Sequence, residues 1–508
     1  MNNIYEVLNY IKTEDNLIPN GKKPLIHQWT LNGYTYPFVL ENLVAALPHP
    51  KPSPVEIGFL EYKGKYRRHS LLSHALLVKP GDLIFFFKAD PNPKGDYRGI
   101  VGIFQAVSEV YSSEDALILY NPQDYNLPVQ EKPYKIYGIC PIEKCLQPYS
   151  SLKKCINDHE ILLNGDCPEY IFNLRLNLKP LLVFKYAIPD ETVYADFRSF
   201  DPCSDVLIWT GRHDNAMGAG KGSSTRILLP EEALRISTLF TKVPNQEILR
   251  LRNIHHKHTS LNIKNPDGTS INEFVFIKNN NEYIAGEHDM ITTAISLDIR
   301  NKNSILLQIF KQYIKKYTSS SFYLEYVSPE YPLGYTGTEV DYLVSFKETN
   351  KRIRYLFLIE IKKTTKEIQR GILQLWFYIY WVVQLFSGCW NRNCLIDNIH
   401  IIPVLISPFY ISNLPRNILV PSIVKNPTSI QLIAKENINI FIHDYIFLQY
   451  FPKIRLKKNL FRSPIEFLDV TSVIFKHLQK RKAKLPVGMP LRHIEKLGIN
   501  SLKHLIFS

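Results

Sequence analysis

Residues 339–363 read EVDYLVSFKETNKRIRYLFLIEIKK. Two apolar runs, 339–346 and 354–363, flank the polar connector KETNKRI, whose length suits a β-hairpin. With the turn centred between Asn350 and Lys351, residues whose numbers sum to 701 (350 + 351) oppose one another. Asp341 then faces Glu360 and Glu339 faces Lys362, and directly opposed side chains have Cβ atoms about 5 Å apart. Strand side chains alternate, so Glu360 and Lys362 share a face. The other face carries Val340, Tyr342, Phe357 and Ile359, as expected of a central strand pair covered on both sides. An acidic pair set in such apolar strands is costly to bury unless something binds it.

The residue types suggest what binds. Carboxylate oxygens are natural ligands for Mg²⁺, and a hard cation can hold a phosphoryl oxygen and acidify water. A lysine at the same edge can position the attacking water or stabilise developing charge. Asp341, Glu360 and Lys362 are therefore the candidates for phosphodiester hydrolysis. Around them, 304–317 places Ile305, Ile309 and Tyr313 at helical spacing, and 365–386 reads as a long helix. On that helix Arg370, Gln374 and Tyr378 lie four residues apart and share a face. The apolar run 399–406 would add a further strand.

This ordered set resembles the PD-(D/E)XK nuclease superfamily, with Asp341 and Glu360-Ile361-Lys362 as its two motifs. The first reads Val340-Asp341 in place of Pro-Asp, which leaves the metal ligand. Gln374 and Tyr378 resemble the Gln-x-x-x-Tyr signature of RecB-like nucleases. The resemblance, over roughly 110 residues, implies Asp341, Glu360, Lys362 and Gln374 as catalytic residues. It also implies Mg²⁺ as cofactor, with Mn²⁺ as a substitute, and Arg370 and Tyr378 on the nucleic-acid side. A further acidic ligand often comes from the preceding helix, but 304–317 holds no Asp or Glu. Of Glu325, Glu330 and Glu339, the reading takes Glu339 as the third metal ligand.

The chain has 508 residues, and single cores stop growing near roughly 250 to 300, so several domains are expected. Hydrophobic residues at 45% and charged residues at 21% exclude a disordered or fibrous chain. A formal charge of +14 favours a polyanionic partner, although AT-rich coding can also raise lysine content. The N-terminus lacks the basic stretch and apolar run of a secretory signal, which points to the cytoplasm. The apolar window 372–386 is short for a bilayer span and holds Gln374 and Gln384, so a buried helix and no membrane are expected. Cys140, Cys145, Cys155 and Cys167 lack the paired spacing of a zinc ribbon.

Upstream, 20–200 reads as β-rich. Lys79-Pro80-Gly81-Asp82 precedes LIFFFK, and GIVGIFQAVSEVY follows at 99–111. This order resembles EVE and related PUA-like domains, with 170–186 supplying closing strands. That resemblance implies a small barrel holding nucleic acid and, in some members, a modified base swung out of the duplex. Trp29, Trp209 and Phe85, Phe86 and Phe87 are the candidate stacking residues, with barrel core as the alternative for each. The stretch 209–226, WTGRHDNAMGAGKGSSTR, sets four glycines among Arg212, Lys221 and Arg226, which suits phosphate contact. It is no P-loop, because Asn215 and Gly222 stand where Gly and a hydroxyl residue are required. His255, His256, Lys257 and His258, and the trio Glu287, His288 and Asp289, read as polar surface.

The sequence thus predicts a multidomain α+β protein. A PUA-like β-barrel occupies 1–200, a linking region with the basic loop 201–300, an α/β restriction-endonuclease-like core with a mixed central sheet 301–410, and a basic extension 411–508. The expected function is a metal-dependent DNA endonuclease of restriction or defence type, with DNA as partner and a homodimer left open. Two alternatives stand beside it: a repair or replication nuclease on branched or single-stranded DNA, and a nucleic-acid-binding protein that no longer cuts.

Overall fold

The computed structural model describes residues 24–31, 36–48, 73–88, 99–119, 134–139, 146–148, 171–189, 225–244, 247–256, 277–279, 282–284, 288–333, 338–387, 397–408, 439–452 and 465–478. They form two large sheets on a shared core.

The first sheet is built from β1 (Ile26–Leu31), β2 (Val44–Pro48), β3 (Leu83–Lys88), β4 (Gly99–Ala106), β5 (Tyr111–Leu119), β6 (Tyr134–Ile139), β7 (Leu146–Pro148), β8 (Ile171–Pro189), β9 (Thr225–Ile227) and β10 (Ile248–Leu249), with helix α1 (Tyr36–Asn42) before β2. The run read as closing strands is one long strand, β8. Its first half pairs with β2 and β5, and its second half with β4 and β10. One strand serving two sets of partners must curl. The sequence provides for this at Gly99, where a Cβ would collide with the Ile188 carbonyl, and at Gly102, where it would meet that of Leu182. The Gly-Asp turn is also as expected. Gly81 has φ +100°, and the Asp82 carboxylate accepts the backbone N–H groups of Leu25 (3.0 Å) and Lys79 (2.9 Å) and contacts His27 Nε2 at 2.9 Å.

Helix α2 (Pro230–Phe240), a small ribbon of β11 (Ile277–Asn279) and β12 (Glu282–Ile284), and helices α3 (His288–Arg300) and α4 (Ile305–Ile314) lead to the second sheet. Ser304 caps α4, accepting the Leu307 N–H at 3.1 Å. The face of α4 that is fully buried carries Leu306, Phe310 and Ile314; Ile305, Ile309 and Tyr313, singled out from the sequence, flank it half-buried. ILLQIF has aliphatics on both adjoining rows, so periodicity alone does not choose between them.

The second sheet contains β13 (Phe322–Leu333), β14 (Thr338–Glu348), β15 (Ile353–Ile361), β16 (Asn398–Ser407), β17 (Asn439–Ile442), β18 (Ile446–Pro452) and β19 (Ile465–Asp469), with helix α5 (Ile368–Ser387) between β15 and β16 and helix α6 (Thr471–Leu478) last. It is mixed: β13, β14 and β15 are antiparallel, whereas β15, β16 and β18 run parallel. The hairpin register is the predicted one. Tyr342 opposes Ile359 and Lys347 opposes Arg354, each pair summing to 701, and Asn350 takes the left-handed turn conformation at φ 60°. Since β17, β18 and β19 complete this sheet, its core extends well beyond residue 410.

Nor is 201–300 only a linker. β9 pairs with β1, Tyr326 of β13 donates its hydroxyl to the Ile227 carbonyl at 2.7 Å, and Ser296 of α3 donates to the Ser73 carbonyl at 2.8 Å. One buried cluster runs from Trp29 and Phe86 through Ile295 and Phe357 to Ile474. The two sheets therefore share a core. Among the described residues, no helix is long and apolar enough to cross a membrane.

Candidate active site

β14 and β15 part at their far end, and the acidic residues sit there. The last rung of the ladder is Tyr342 opposite Ile359. At the next position Asp341 Oδ2 accepts the Ile361 backbone N–H at 2.6 Å, which fixes this carboxylate against the strand carrying Glu360. Glu360 is 2% exposed, and its Oε1 forms an ion pair with Lys362 Nζ. The Lys362 backbone N–H donates to the Ile406 carbonyl at 2.8 Å, so strand β16 holds the lysine in place. These groups gather at the carboxyl ends of the parallel pair β15 and β16, beside the start of the crossover helix α5. Open α/β sheets place ligands at such strand ends.

Helix α5 closes the site. Tyr378 is 2% exposed; burial, the charges of Glu360 and Asp341, and a hydrogen bond with Glu360 hold its hydroxyl well above the usual phenol range. Gln374 hydrogen-bonds Tyr378 in the opposite sense, while its own Oε1 is buried without a hydrogen-bond partner. One turn earlier, Gly371 lies against the Lys362 side chain. The carboxylate oxygens of Asp341 and Glu360 are hard donors that suit a small divalent cation, and Lys362 is paired with Glu360. Among the described residues no group of three His, Cys, Asp or Glu is placed to hold a metal, so the acidic set is a pair.

The candidates for a third acid lie elsewhere. Glu325 is buried and engaged by Arg354, whose Nε and Nη2 donate to it at 2.7 and 3.0 Å. Glu330 has φ 45° on β13, between Pro329 and Tyr331, which oppose Tyr342 and Val340; its charge raises the Tyr342 phenol, and it is not grouped with the acidic pair. Glu339 is half-buried two residues along β14 from Asp341 and is not grouped with the pair.

Several predicted nucleic-acid contacts are corrected. Trp29 is fully buried, edge-on to Phe86 with centroids 6.1 Å apart, and Phe85, Phe86 and Phe87 are core as well. Arg226 is buried, donating to Gln28 at 3.1 Å and Glu232 at 3.4 Å, so it serves the interior and not a phosphate. Burial lifts Glu232 to about 7 against the pull of Arg226. Tyr378 is buried beside Glu360 and offers no surface. Arg370 is exposed on the first turn of α5 and remains available. His255 is exposed and His256 half-buried, with burial lowering the His256 imidazole. His288 and Asp289 open α3. Trp209, Arg212, Lys221, Lys257, His258, Glu287 and the four cysteines Cys140, Cys145, Cys155 and Cys167 lie outside the described residues. The sequence reading passed over Gly371; its one signal was a glycine inside a helical pattern, where alanine would be the better helix former.

No protein family matches the chain, and no curated protein does. Three solved structures are similar to part of it. A hypothetical protein from Leishmania major has 8% identity and a TM-score of 0.22, over 43% of this chain and 96% of its own. The human THYN1 protein in complex with 5-methylcytosine-containing DNA has 15% identity and a TM-score of 0.19, over 43% and 99%. The DUF55 domain of human thymocyte nuclear protein 1 has 14% identity and a TM-score of 0.18, over 42% and 96%. Each likeness spans less than half of this chain.

Proposed function

We propose that this chain is a metal-dependent DNA endonuclease of restriction or defence type, whose C-terminal sheet is a PD-(D/E)XK core and whose N-terminal sheet is a PUA-like module selecting the DNA. The observation that carries the proposal is the meeting of Asp341, Glu360 and Lys362 at one strand end, with Tyr378 hydrogen-bonded to Glu360. Asp341 and Glu360 would hold Mg²⁺, with the Gln374 carbonyl beside them. The cation supplies a hard positive charge for a phosphoryl oxygen and acidifies water. Lys362 offsets the paired acids before substrate arrives and presents its ammonium to the charge that develops on the phosphate. The Ile361 N–H and the Tyr378 hydroxyl orient the two carboxylates, and Arg370 is exposed for a backbone phosphate. Selection of a modified base rests on the EVE-like strand order of 79–111 and on the cations Arg212 and Lys221 of the glycine-rich sequence, Arg226 being engaged by Gln28 and Glu232.

Strand breakage tests this. Supercoiled plasmid, unmodified or carrying methylcytosine, is incubated with the full chain and Mg²⁺. The proposal expects nicking that needs the metal, favours the modified plasmid and falls about 10²- to 10³-fold in Lys362→Ala. DNA retention without breakage under any metal would instead identify a binding protein. The Gln374 and Tyr378 pair favours a second reading, a repair nuclease, and preference for forked over linear duplex would select it.

A further inference from the structure

We infer that Gly371 is a positioning residue for Lys362: the missing side chain on helix α5 leaves the channel in which the lysine stem lies, and so aims the ammonium at Glu360. The inference rests on the nuclease reading for its link to rate, but its geometry stands alone. A Cβ at position 371 would lie 3.0 Å from Lys362 Cγ, 3.1 Å from Lys362 Cε and 2.6 Å from Leu405 Cδ1. Two of these three contacts are to the lysine stem, at both ends of it, so the stem runs across the glycine and not past it.

The surroundings leave the stem few alternatives. The Lys362 backbone is pinned to Ile406, its side chain is 11% exposed, and its ammonium is paired with Glu360, itself buried. Leu405, which neighbours Glu360 across the β15–β16 ladder, is fully buried and closes the other wall. A methyl at 371 must therefore displace the stem by a few tenths of an ångström, and the aim of the ammonium at Glu360 shifts with it. Gly371 sits in the body of a helix, where glycine is a poor choice and alanine the best. Local helix stability thus argues for alanine, and only the room above the glycine argues against it.

The closing experiment separates the lysine from Leu405. Leu405→Val removes the Cδ1 methyl that a side chain at position 371 would meet, so Gly371→Ala/Leu405→Val is compared with Leu405→Val alone, and Gly371→Ala with the natural chain. The first readout is the rate at which an amine-selective acylating reagent modifies Lys362, followed by mass spectrometry without DNA or metal. The second is the Mg²⁺-dependent nicking rate at saturating plasmid, with the half-saturating concentration measured separately. The inference expects the thermal midpoint of Gly371→Ala/Leu405→Val at or above that of Leu405→Val, and that of Gly371→Ala alone below the natural chain, because its methyl would stand 2.6 Å from Leu405 Cδ1. It expects faster modification of Lys362, a nicking rate lower by about 10- to 100-fold, as for groups that orient a reacting residue, and unchanged half-saturation. In a Lys362→Ala background, Gly371→Ala should alter the rate no further. Equal modification and equal rates in Gly371→Ala/Leu405→Val and Leu405→Val overturn the inference and leave the nuclease reading standing. Faster modification in a chain whose parent cuts no DNA supports the positioning role and rejects the nuclease reading.

Discussion

Arg354→Met should be among the most destabilising single substitutions in this protein. Arg354 is completely buried at the start of β15. Its guanidinium grips Glu325 with two hydrogen bonds, 2.7 and 3.0 Å, and reaches Glu231 of α2 at 2.9 Å. Methionine matches much of the volume but leaves two carboxylates in the interior without their cation. Breaking a buried pair in this way costs about 3–5 kcal/mol, and two acids share this one arginine, so the upper half of that range is expected. Ser345 still donates to Glu325 at 3.1 Å and offsets little of the loss. Urea unfolding followed by tryptophan fluorescence measures the change as a shift in midpoint at constant slope. Adding Glu231→Gln and Glu325→Gln to Arg354→Met removes the stranded charge and should recover more than half of the stability. A loss below about 1 kcal/mol for Arg354→Met, the level of a solvent-screened pair, would refute the reasoning.

Three further outcomes follow from other contacts. Ser304→Ala, which removes the cap of α4 and a 2.7 Å hydrogen bond to Asp298, should lower stability by about 1 kcal/mol in the same unfolding assay. Tyr378→Phe keeps the ring and loses the hydrogen bond to Glu360; the nicking rate should fall about 10- to 100-fold, with substrate binding unchanged in a gel-shift titration. His74 is fully buried, and burial followed by the nearby His27 pushes it down to about 3 from the ordinary 6.5. Between those values the unfolded chain takes up a proton that the folded chain refuses, so stability falls as pH drops, by about 2 to 3 kcal/mol from pH 6.5 to 4.5. His74→Leu should remove that share of the slope and leave the shares of His400 and His443, which burial lowers to about 4, and an unchanged slope would exclude His74 as a source.

The hairpin was legible because its information is local. Six polar residues, 347–352, between two apolar runs fix the turn, the turn fixes the register, and alternation then decides which side chains share a face. The strands around Gly81 and Gly99 and the long helix after Lys362 were legible for the same reason. What could not be read involves partners far apart in the chain. Arg226 looked like a phosphate contact until Gln28, 198 positions away, was seen to accept from it. Trp29 became core only when β3 and β9 were placed on either side of β1. Arg354 resembled any basic residue at a strand end, since neither Glu325 nor Glu231 marks itself as its partner. Gly371 owes its place to Lys362 and Leu405, which meet it only after β15, β16 and α5 have packed. Strands β17 to β19 fall within the stretch read as a basic extension, whereas Ile446, Phe447, Leu448 and Tyr450 of β18 are buried.

The central claim is that Asp341 and Glu360 together form one cation site used to break DNA. Titration of Mn²⁺ into the full chain, with free Mn²⁺ followed by electron paramagnetic resonance, addresses it directly, alongside Asp341→Asn/Glu360→Gln. The account predicts saturable uptake by the natural chain that disappears in the double variant, together with loss of nicking and retention of the fold by circular dichroism. Uptake and nicking that persist undiminished without both carboxylates would contradict it.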